Sequence, residues 1–598
     1  MCGIASIFVY DKNAQPVDRT ELMKTLERMT CRGPDGCGDW ISTDGRIGMG
    51  HRRLAIIDLS LNGSQPMTNT DGSLVVTYNG EIYNFKKLRR YLEEKGYQFR
   101  SNSDTEVLLH LYSLKGRDMV KFLRGMFAFV IWDKRNNGIF LARDPFGIKP
   151  LYYADDGKTF RAASQVKALL AGGAINRTPE AAGHVGFFLW GYVPEPFTLY
   201  RGIRALPAGT SLWIGSDGTK HLTAFFNIRE EFAKARLNVP LRSPADARRQ
   251  LRDTLADSVQ SHLLADVPVG VFLSAGIDST TLASLAAETA QGQLRTVTLG
   301  FKEFVGTRND EVPLAEAVAR HIGSVHKTIW VEQADFHDEM PRLLDSMDQP
   351  TIDGVNTYFI SRAAKESGLK VAISGLGGDE LFGGYPSFRQ IPQLVKAMLP
   401  FACVPQIGKG FRLVTAPLLK RFTSPKYAGI FEYGTNYGGA YLLRRGMYMP
   451  WELPDVLSID MVQEGWRDLD MLHRLDETID GLDDGNIKVS ALEMEWYMRC
   501  QLLRDADWAS MAHSLELRVP LVDMELFHIV APMLFGISPP GKKDVALTPN
   551  VSLPHDVLVK RKTGFSVPVR DWLLGKEASR GLRGNRAWAI KVYGELWQ

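Results

Sequence analysis

The sequence predicts two domains of different fold class. An N-terminal α+β domain carries antiparallel strands in two stacked sheets between helices, and an α/β domain with a doubly wound parallel sheet and a helical C-terminal part follows. Three observations carry this expectation. The chain has 598 residues, more than one hydrophobic core organises. Its first third holds short apolar runs joined by Asn-Gly and Asp-Gly turns, the signature of hairpins. From Ser243 onward, apolar strands alternate with helix-length amphipathic stretches, as in a parallel sheet with crossover helices. The expected boundaries are 1–225 for the first domain, 226–242 for a polar linker running to Pro240, and 243–598 for the second.

Composition narrows the class. With 45% hydrophobic and 23% charged residues the chain is of the ordinary globular type. A net charge of +3 is small for this length and argues against nucleic acid or an acidic membrane as partner. The densest basic run, Lys560-Arg561-Lys562, reads as a solvated or substrate-facing loop. The five cysteines, Cys2, Cys31, Cys37, Cys403 and Cys500, lack zinc-ligand spacing and are odd in number, so neither a metal site nor a disulfide framework is expected. A reducing cytoplasm suits them. No apolar run reaches the roughly 18 residues of a membrane helix, and Gly3 to Tyr10 lacks the flanks of a secretory signal.

Met1-Cys2-Gly3-Ile4 opens the chain on a strand. Removal of the initiator methionine would place a thiol and an α-amine on one residue, and an amine of pKa ~7.7 to 8.0 can take the thiol's proton. Arg32-Gly33-Pro34-Asp35 forms a tight loop, and His51 to Asp58 leads into an apolar strand. Tyr78-Asn79-Gly80-Glu81-Ile82-Tyr83-Asn84 closes another strand, and Ser101 to Glu106 opens a helix with a capping-box-like start. Cys2, Arg-Gly-Pro-Asp, Arg-Leu-x-Ile-x-Asp, Asn-Gly-Glu and Ser-Asp-Thr-Glu in this order resemble the glutaminase domain of class II glutamine amidotransferases. The resemblance implies an N-terminal nucleophile fold. It also implies that Cys2 attacks the glutamine amide, that Asn79 and the Gly80 N–H stabilise the oxyanion, and that Arg53 pairs with the α-carboxylate while Glu81 and Asp104 hold the α-ammonium.

The rest of this domain reads as hairpins: Phe127 to Asp133, a turn at Asn137-Gly138, then Ile139 to Asp144, with Asp156-Gly157 repeating the device. Arg143 to Tyr152 is a family-like segment of structural character. Gln165 stands where a glutamate is usual and carries no functional implication.

In the second domain Ser243 reads as an N-cap with Pro244 at the first helical position, and Leu251, Leu255, Val259 and Leu263 form an apolar stripe. Val267 to Leu273 is apolar throughout, as a strand covered on both faces should be. Behind it Ser274, Ala275, Gly276 and Ser279 present N–H groups and hydroxyls to an anion at a helix start, and Asp278 requires a divalent cation between itself and phosphate. Strands at Arg295 to Phe301, Thr328 to Val331 and Val371 to Ser374 alternate with helices at Leu314 to Ile322 and Tyr358 to Lys365. Ligands of such sheets sit beyond the carboxyl ends of the strands, where Leu273, Leu299, Ser374 and Gly375 fall. Ser374-Gly375-Leu376-Gly377-Gly378-Asp379-Glu380 is a second glycine-rich segment, with Asp379 a candidate to share a magnesium ion with Asp278.

Paired in this order, the two loops resemble the ATP pyrophosphatase domain of asparagine synthetases, and both domains together resemble the glutamine-hydrolysing asparagine synthetase family over nearly the whole chain. The resemblance implies ATP and Mg2+ as cofactors, a homodimer, and Lys542 as the lysine facing the α-phosphate and acyl-adenylate, with Lys543 left open. Residues 389–484 read as a helical insertion. Ser510 to Asp523 matches the family's helical part, with His513 structural and Glu516 and Arg518 an internal ion pair; Arg561 to Phe565 follows Leu553-Pro554.

Two departures fall in the synthetase site. Ala275 replaces a usual glycine, which is tolerated if its φ is negative. Leu376 replaces a glutamate that lies by the acceptor in the family. Losing a charge-assisted hydrogen bond worth about 1.5 to 3 kcal/mol should weaken aspartate recognition by one to two decades. Two readings follow: aspartate is still used through a compensating residue, or the acceptor is another carboxylate such as a sugar uronic acid or a biosynthetic intermediate. A catalytically inactive regulator on the same fold is the alternative of another class, against which stand intact Cys2, Asn79, Asp278, Asp379 and Lys542. A lactam-forming synthetase would lack the terminal cysteine and glutamine-binding set.

Overall fold

The computed structural model describes residues 2–239, 243–290, 292–403, 405–422, 424–560, 568, 572–573 and 585–597. Strands Gly3–Val9, Gly36–Ile41, Ile47–Arg53, Tyr152–Asp155, Thr159–Ala163 and Ile203–Ala205 form one antiparallel sheet of the first domain. Met67–Thr68, Leu74–Ile82, Gly125–Asp133, Gly138–Arg143, Thr210–Gly215 and Lys220–Ala224 form the other. Their inner faces meet in one apolar layer, with Ile4, Phe8 and Met49 against Val75, Val130 and Leu141. Helices Arg19–Glu27 and Val166–Gly172 cover the outer face of the first sheet, burying Leu22, Leu26 and Leu169. Helices Phe85–Glu94 and Asp104–Lys115 cover the second with Leu88, Leu92 and Leu108. The result is a helix–sheet–sheet–helix stack.

The hairpin expected at Asn137-Gly138 closes one residue earlier. Asn137 takes the left-handed φ of +47°, and Gly138 is already in the strand, opposite Asp133. The stretch 226–242, expected as a linker, contains a helix, Ile228–Leu237, capped by Asn227, whose side chain accepts from the Glu230 N–H. Its five charges mask an apolar stripe: Ile228, Phe232 and Ala235 recur at helical spacing and are buried. Phe232 lies 5.1 Å from the ring of Phe527 in the second domain. Pro240 falls outside the described residues.

In the second domain Ser243 caps helix Pro244–His262 by accepting from the Asp246 N–H at 3.2 Å. Five parallel strands follow in the spatial order Val325–Val331, Arg295–Phe301, Val269–Phe272, Val371–Ile373, Glu516–Arg518. The chain order reverses between Val269–Phe272 and Val371–Ile373, so the loops that leave these two strands diverge and open a crevice at the switch point. The expected strand Thr328 to Val331 begins three residues sooner, at Val325. Residues 389–484 are helical, as expected, and pack in the core shared by both domains.

Buried charges join the domains. The Arg32 guanidinium, fully buried, donates from Nε to the Cys2 carbonyl at 3.1 Å and from Nη1 and Nη2 to Asp507 at 2.7 and 3.1 Å. Arg124 makes a second bidentate pair with Asp523 at 2.9 and 3.1 Å. Removing one member of a buried pair strands the other charge, so Arg32→Ala is expected to destabilise the protein by about 3–5 kcal/mol, read from its cooperative urea unfolding transition. A loss below about 1 kcal/mol, the range of an exposed pair, contradicts this.

Candidate active sites

Cys2 enters the first strand beside Asn79. The Cys2 nitrogen donates to Asn79 Oδ1 at 2.9 Å, and its Sγ lies 4.0 Å from the Leu54 carbonyl oxygen. Burial pushes the thiol pKa up. Asn79 gives its oxygen to Cys2, which leaves Nδ2 buried with no hydrogen-bond partner. An orphaned buried donor costs about 1–3 kcal/mol, and an oxyanion formed on a substrate amide carbon would satisfy it. Gly80 is required sterically: a Cβ there would lie 2.1 Å from the Met126 carbonyl oxygen.

The period of two along Leu74–Ile82 puts Asn79 and Glu81 on one face. Glu81 is buried, and burial together with nearby Glu516 raises its pKa well above the usual range. Asp104 accepts from the Tyr78 hydroxyl at 2.9 Å and the Ile82 N–H at 3.0 Å, and burial lifts its pKa to about 6. Arg53 donates to the carbonyls of Ser60, at 2.7 Å, and Asp58.

The ion pair expected between Glu516 and Arg518 is present at 2.6 Å, both groups fully buried. It is more than internal packing, because Arg518 Nη2 also lies 3.5 Å from Glu81 Oε1. Burial opposes the charge on Glu516, yet Arg518 holds its carboxylate below the ordinary range. An edge strand of the synthetase sheet thus supplies the cation beside a glutaminase carboxylate. Glu-x-Arg on a short strand looks like a solvated face, so no sequence signal marks this contact. His513 packs its ring 4.3 Å from Tyr358, and burial lowers its pKa to about 4.

On the other side, Leu273, Ser274, Gly276, Asp278 and Ser279 line a cavity of about 550 Å3 together with Leu299, Ser374 and Gly375 from the neighbouring strand ends. Ser274 Oγ lies 2.8 Å from Ser279 Oγ and accepts from the Gly276 N–H at 3.2 Å, which shapes the first loop. Helix Ile277–Thr289 has no side-chain cap, so its first-turn N–H groups face the crevice for an anion. Ala275 is not among the non-glycine residues of positive φ. Gly377 does need to be glycine, with φ +94° and the position of a Cβ 2.3 Å from Val522 Cγ2.

Lys542 rather than Lys543 enters this cavity, its Nζ donating to Asp278 at 2.5 Å and lying 2.8 Å from Asp379. Although burial opposes its charge, the two carboxylates hold its pKa above the usual lysine value. Leu376 lines the same cavity with Asp353, Thr357, Ile360, Tyr497 and Leu502. Composition gave no hint of Asp353 or Tyr497, which reach the cavity from an irregular loop and a distant helix. Arg561 to Phe565 lies outside the described residues.

With Asp104 in the role that the resemblance gives it, the carboxyl must be ionised to hold an ammonium. A raised pKa means it is neutral below about 6. The KM for glutamine is therefore expected to rise as pH falls through about 6. Asp104→Asn should raise KM by about 10- to 100-fold, the worth of one charge-assisted hydrogen bond, and abolish that acid limb. An unchanged limb in the variant contradicts the assignment.

A family model described as a glutamine amidotransferase domain matches residues 1–226, and one described as asparagine synthase matches residues 250–586. The glutamine-hydrolysing asparagine synthetase 1 of Bacillus subtilis (strain 168) is 34% identical over 582 residues, 96% of this chain and 88% of its own length. A putative glutamine-hydrolysing asparagine synthetase of Mycobacterium tuberculosis is 32% identical over 620 residues, covering 96% and 89%. Amidase chry2 of Gibberella zeae is 30% identical over 426 residues, covering 65% and 60%. Matched across both halves and nearly its full length, the chain belongs to the glutamine-hydrolysing asparagine synthetase family, ligases that form a C–N bond with glutamine as nitrogen donor.

Proposed function

We propose that this protein amidates a carboxylate other than aspartate, and that the acceptor is a sugar acid. Ammonia is released from glutamine at Cys2, and the acceptor carboxylate attacks the α-phosphorus of ATP with loss of pyrophosphate. Ammonia then adds to the acyl carbon and AMP leaves. Ammonium is not nucleophilic, so the neutral molecule needs an enclosed, largely apolar path between the sites.

The observation that carries the acceptor reading is the charge of the cavity around Leu376. Aspartate offers an ammonium and an α-carboxylate, and selecting it takes an anion and a cation set against them. The cations among the described lining residues are Lys542 and Lys560; Lys560 is paired with Glu311 at 2.7 Å, and Lys542 sits between Asp278 and Asp379, where the proposed reaction commits it to the α-phosphate rather than to an α-carboxylate of the acceptor. Leu376 offers no charge. Asp353 is the carboxylate on this side; burial raises its pKa, and it accepts from the Gly354 N–H at 2.9 Å. An acceptor with one carboxylate and several hydroxyls suits this set: Asp353 and Thr357 would take hydroxyls, and the Tyr497 ring with Leu376 and Ile360 would cover a sugar face.

The donor set also fits magnesium, which takes one or two carboxylates plus nucleotide phosphates. A Cβ on Gly378 would lie 2.8 Å from Asp278 Oδ1 and one on Gly384 1.9 Å from Asp379 Oδ1, so glycine at both positions lets the two carboxylates come together, where Lys542 now bridges them. Asp278 and Asp379 would hold the ion, which would offset phosphate charge when bound with ATP. Lys542 then stabilises negative charge developing on the α-phosphate and on the tetrahedral adduct.

Glutamine-dependent pyrophosphate release from ATP and magnesium tests the proposal across aspartate, uronic acids and other carboxylates. A uronic acid is expected to drive release while aspartate stays at the no-acceptor background. Leu376→Glu should depress turnover with the preferred acid. Release driven by aspartate alone makes Leu376 a tolerated change and the product asparagine, and glutamine left unhydrolysed with every acid points to the inactive regulator.

A further inference from the structure

We propose that the helix Pro405–Phe422 and the turn before it form a docking face for an anionic lipid surface. The helix is built the reverse of an ordinary surface helix. Toward the protein it turns Gly408, where a Cβ would come 2.8 Å from the Glu432 nitrogen, and Arg412, whose Nε donates to Glu432 at 2.5 Å beneath the ring of Trp451, 5.0 Å away. Toward solvent it turns hydrocarbon. Ile407, Phe411, Val414 and Leu418 recur at steps of four, three and four and share one face. Val414 is 79% exposed, Leu413 68% and Leu418 63%, and Leu399 beside them is 59% exposed.

Charge selects the occupant. Between Leu381 and Phe431 the sequence holds seven lysines and arginines and no aspartate or glutamate, whereas the whole chain nets only +3. The chain total therefore averages away a strongly basic region, which is why it argues against a membrane partner when read alone. Lys409 within the helix and Lys396, three residues before Leu399, are exposed. A second copy of this face, related by a two-fold axis, would set like charges against one another. An anionic bilayer takes both features at once, the apolar side chains entering the acyl boundary while lysine and arginine meet lipid phosphates. Eighteen residues make a helix of about 27 Å, and no helix of the described residues is apolar enough to cross a membrane, so this one would lie flat.

Co-sedimentation of the full chain with vesicles tests this, using phosphatidylcholine alone and phosphatidylcholine with phosphatidylglycerol. Binding to the anionic vesicles is expected, weakening with salt and falling at least about tenfold in the double variant Val414→Glu, Leu418→Glu. Unchanged glutaminase activity shows that the variant is folded. Failure of the wild type to bind anionic vesicles, equal binding to both vesicle types, or equal binding of wild type and variant overturns the proposal. So does light scattering that finds a wild-type dimer and a variant monomer, since the face then joins two copies of the chain.

Discussion

A fully buried guanidinium is tolerated in a protein only beside a carboxylate, and Arg32 finds its carboxylate in the other domain. The same side chain holds the carbonyl of Cys2. The position of Cys2 therefore depends on Asp507, a residue of the helix that precedes the last strand of the synthetase sheet. Arg518 acts in the opposite direction, from that strand toward Glu81 in the glutaminase site. With Arg124 and Asp523 as a further cross-domain pair, the two halves form one packed body whose seam runs through the glutaminase residues. Separating them would leave several charges buried without partners.

The local grouping of residues at each candidate site was legible in the sequence because each piece is contiguous. Asn79, Gly80 and Glu81 follow one another on a strand. The Ser274 to Ser279 loop joins strand to helix within a few residues, and the parallel sheet follows from short apolar runs alternating with helix-length stretches of period 3.6. Sequence could not show pairings across distance. Arg32 and Asp507 are 475 residues apart, and either alone looks like a surface charge. The helix at Ile228–Leu237 was hidden because charges outnumber its apolar stripe, and composition weighs residues rather than faces. Asp353 and Tyr497 belong to no motif, and only the fold brings them to the cavity that holds Leu376.

The substitution at Leu376 has a wider physical context. A cavity that recognises a free amino acid carries charge of both signs, whereas the described walls here pair their cations internally and offer an anion, an aromatic ring and aliphatic surface. The two glycine-rich loops bring small residues, serines, Asp278 and Asp379 to the cavity, and Lys542 joins them from a separate helix. Under the proposed reaction the unusual features are therefore the wall that holds Leu376 and, separately, the exposed apolar helix Pro405–Phe422.

In the proposed reaction, what joins the halves chemically is a nitrogen atom passed from Cys2 to the acyl-adenylate. The direct measurement supplies glutamine labelled with 15N in its amide, together with excess unlabelled ammonium and the acid that supports pyrophosphate release, and determines the label in the amide product by mass spectrometry. Product labelled well beyond the share of label in the free ammonium pool is expected if the seam delivers nitrogen within the protein. Product matching that pool contradicts it, and would make the two sites independent catalysts that share a chain.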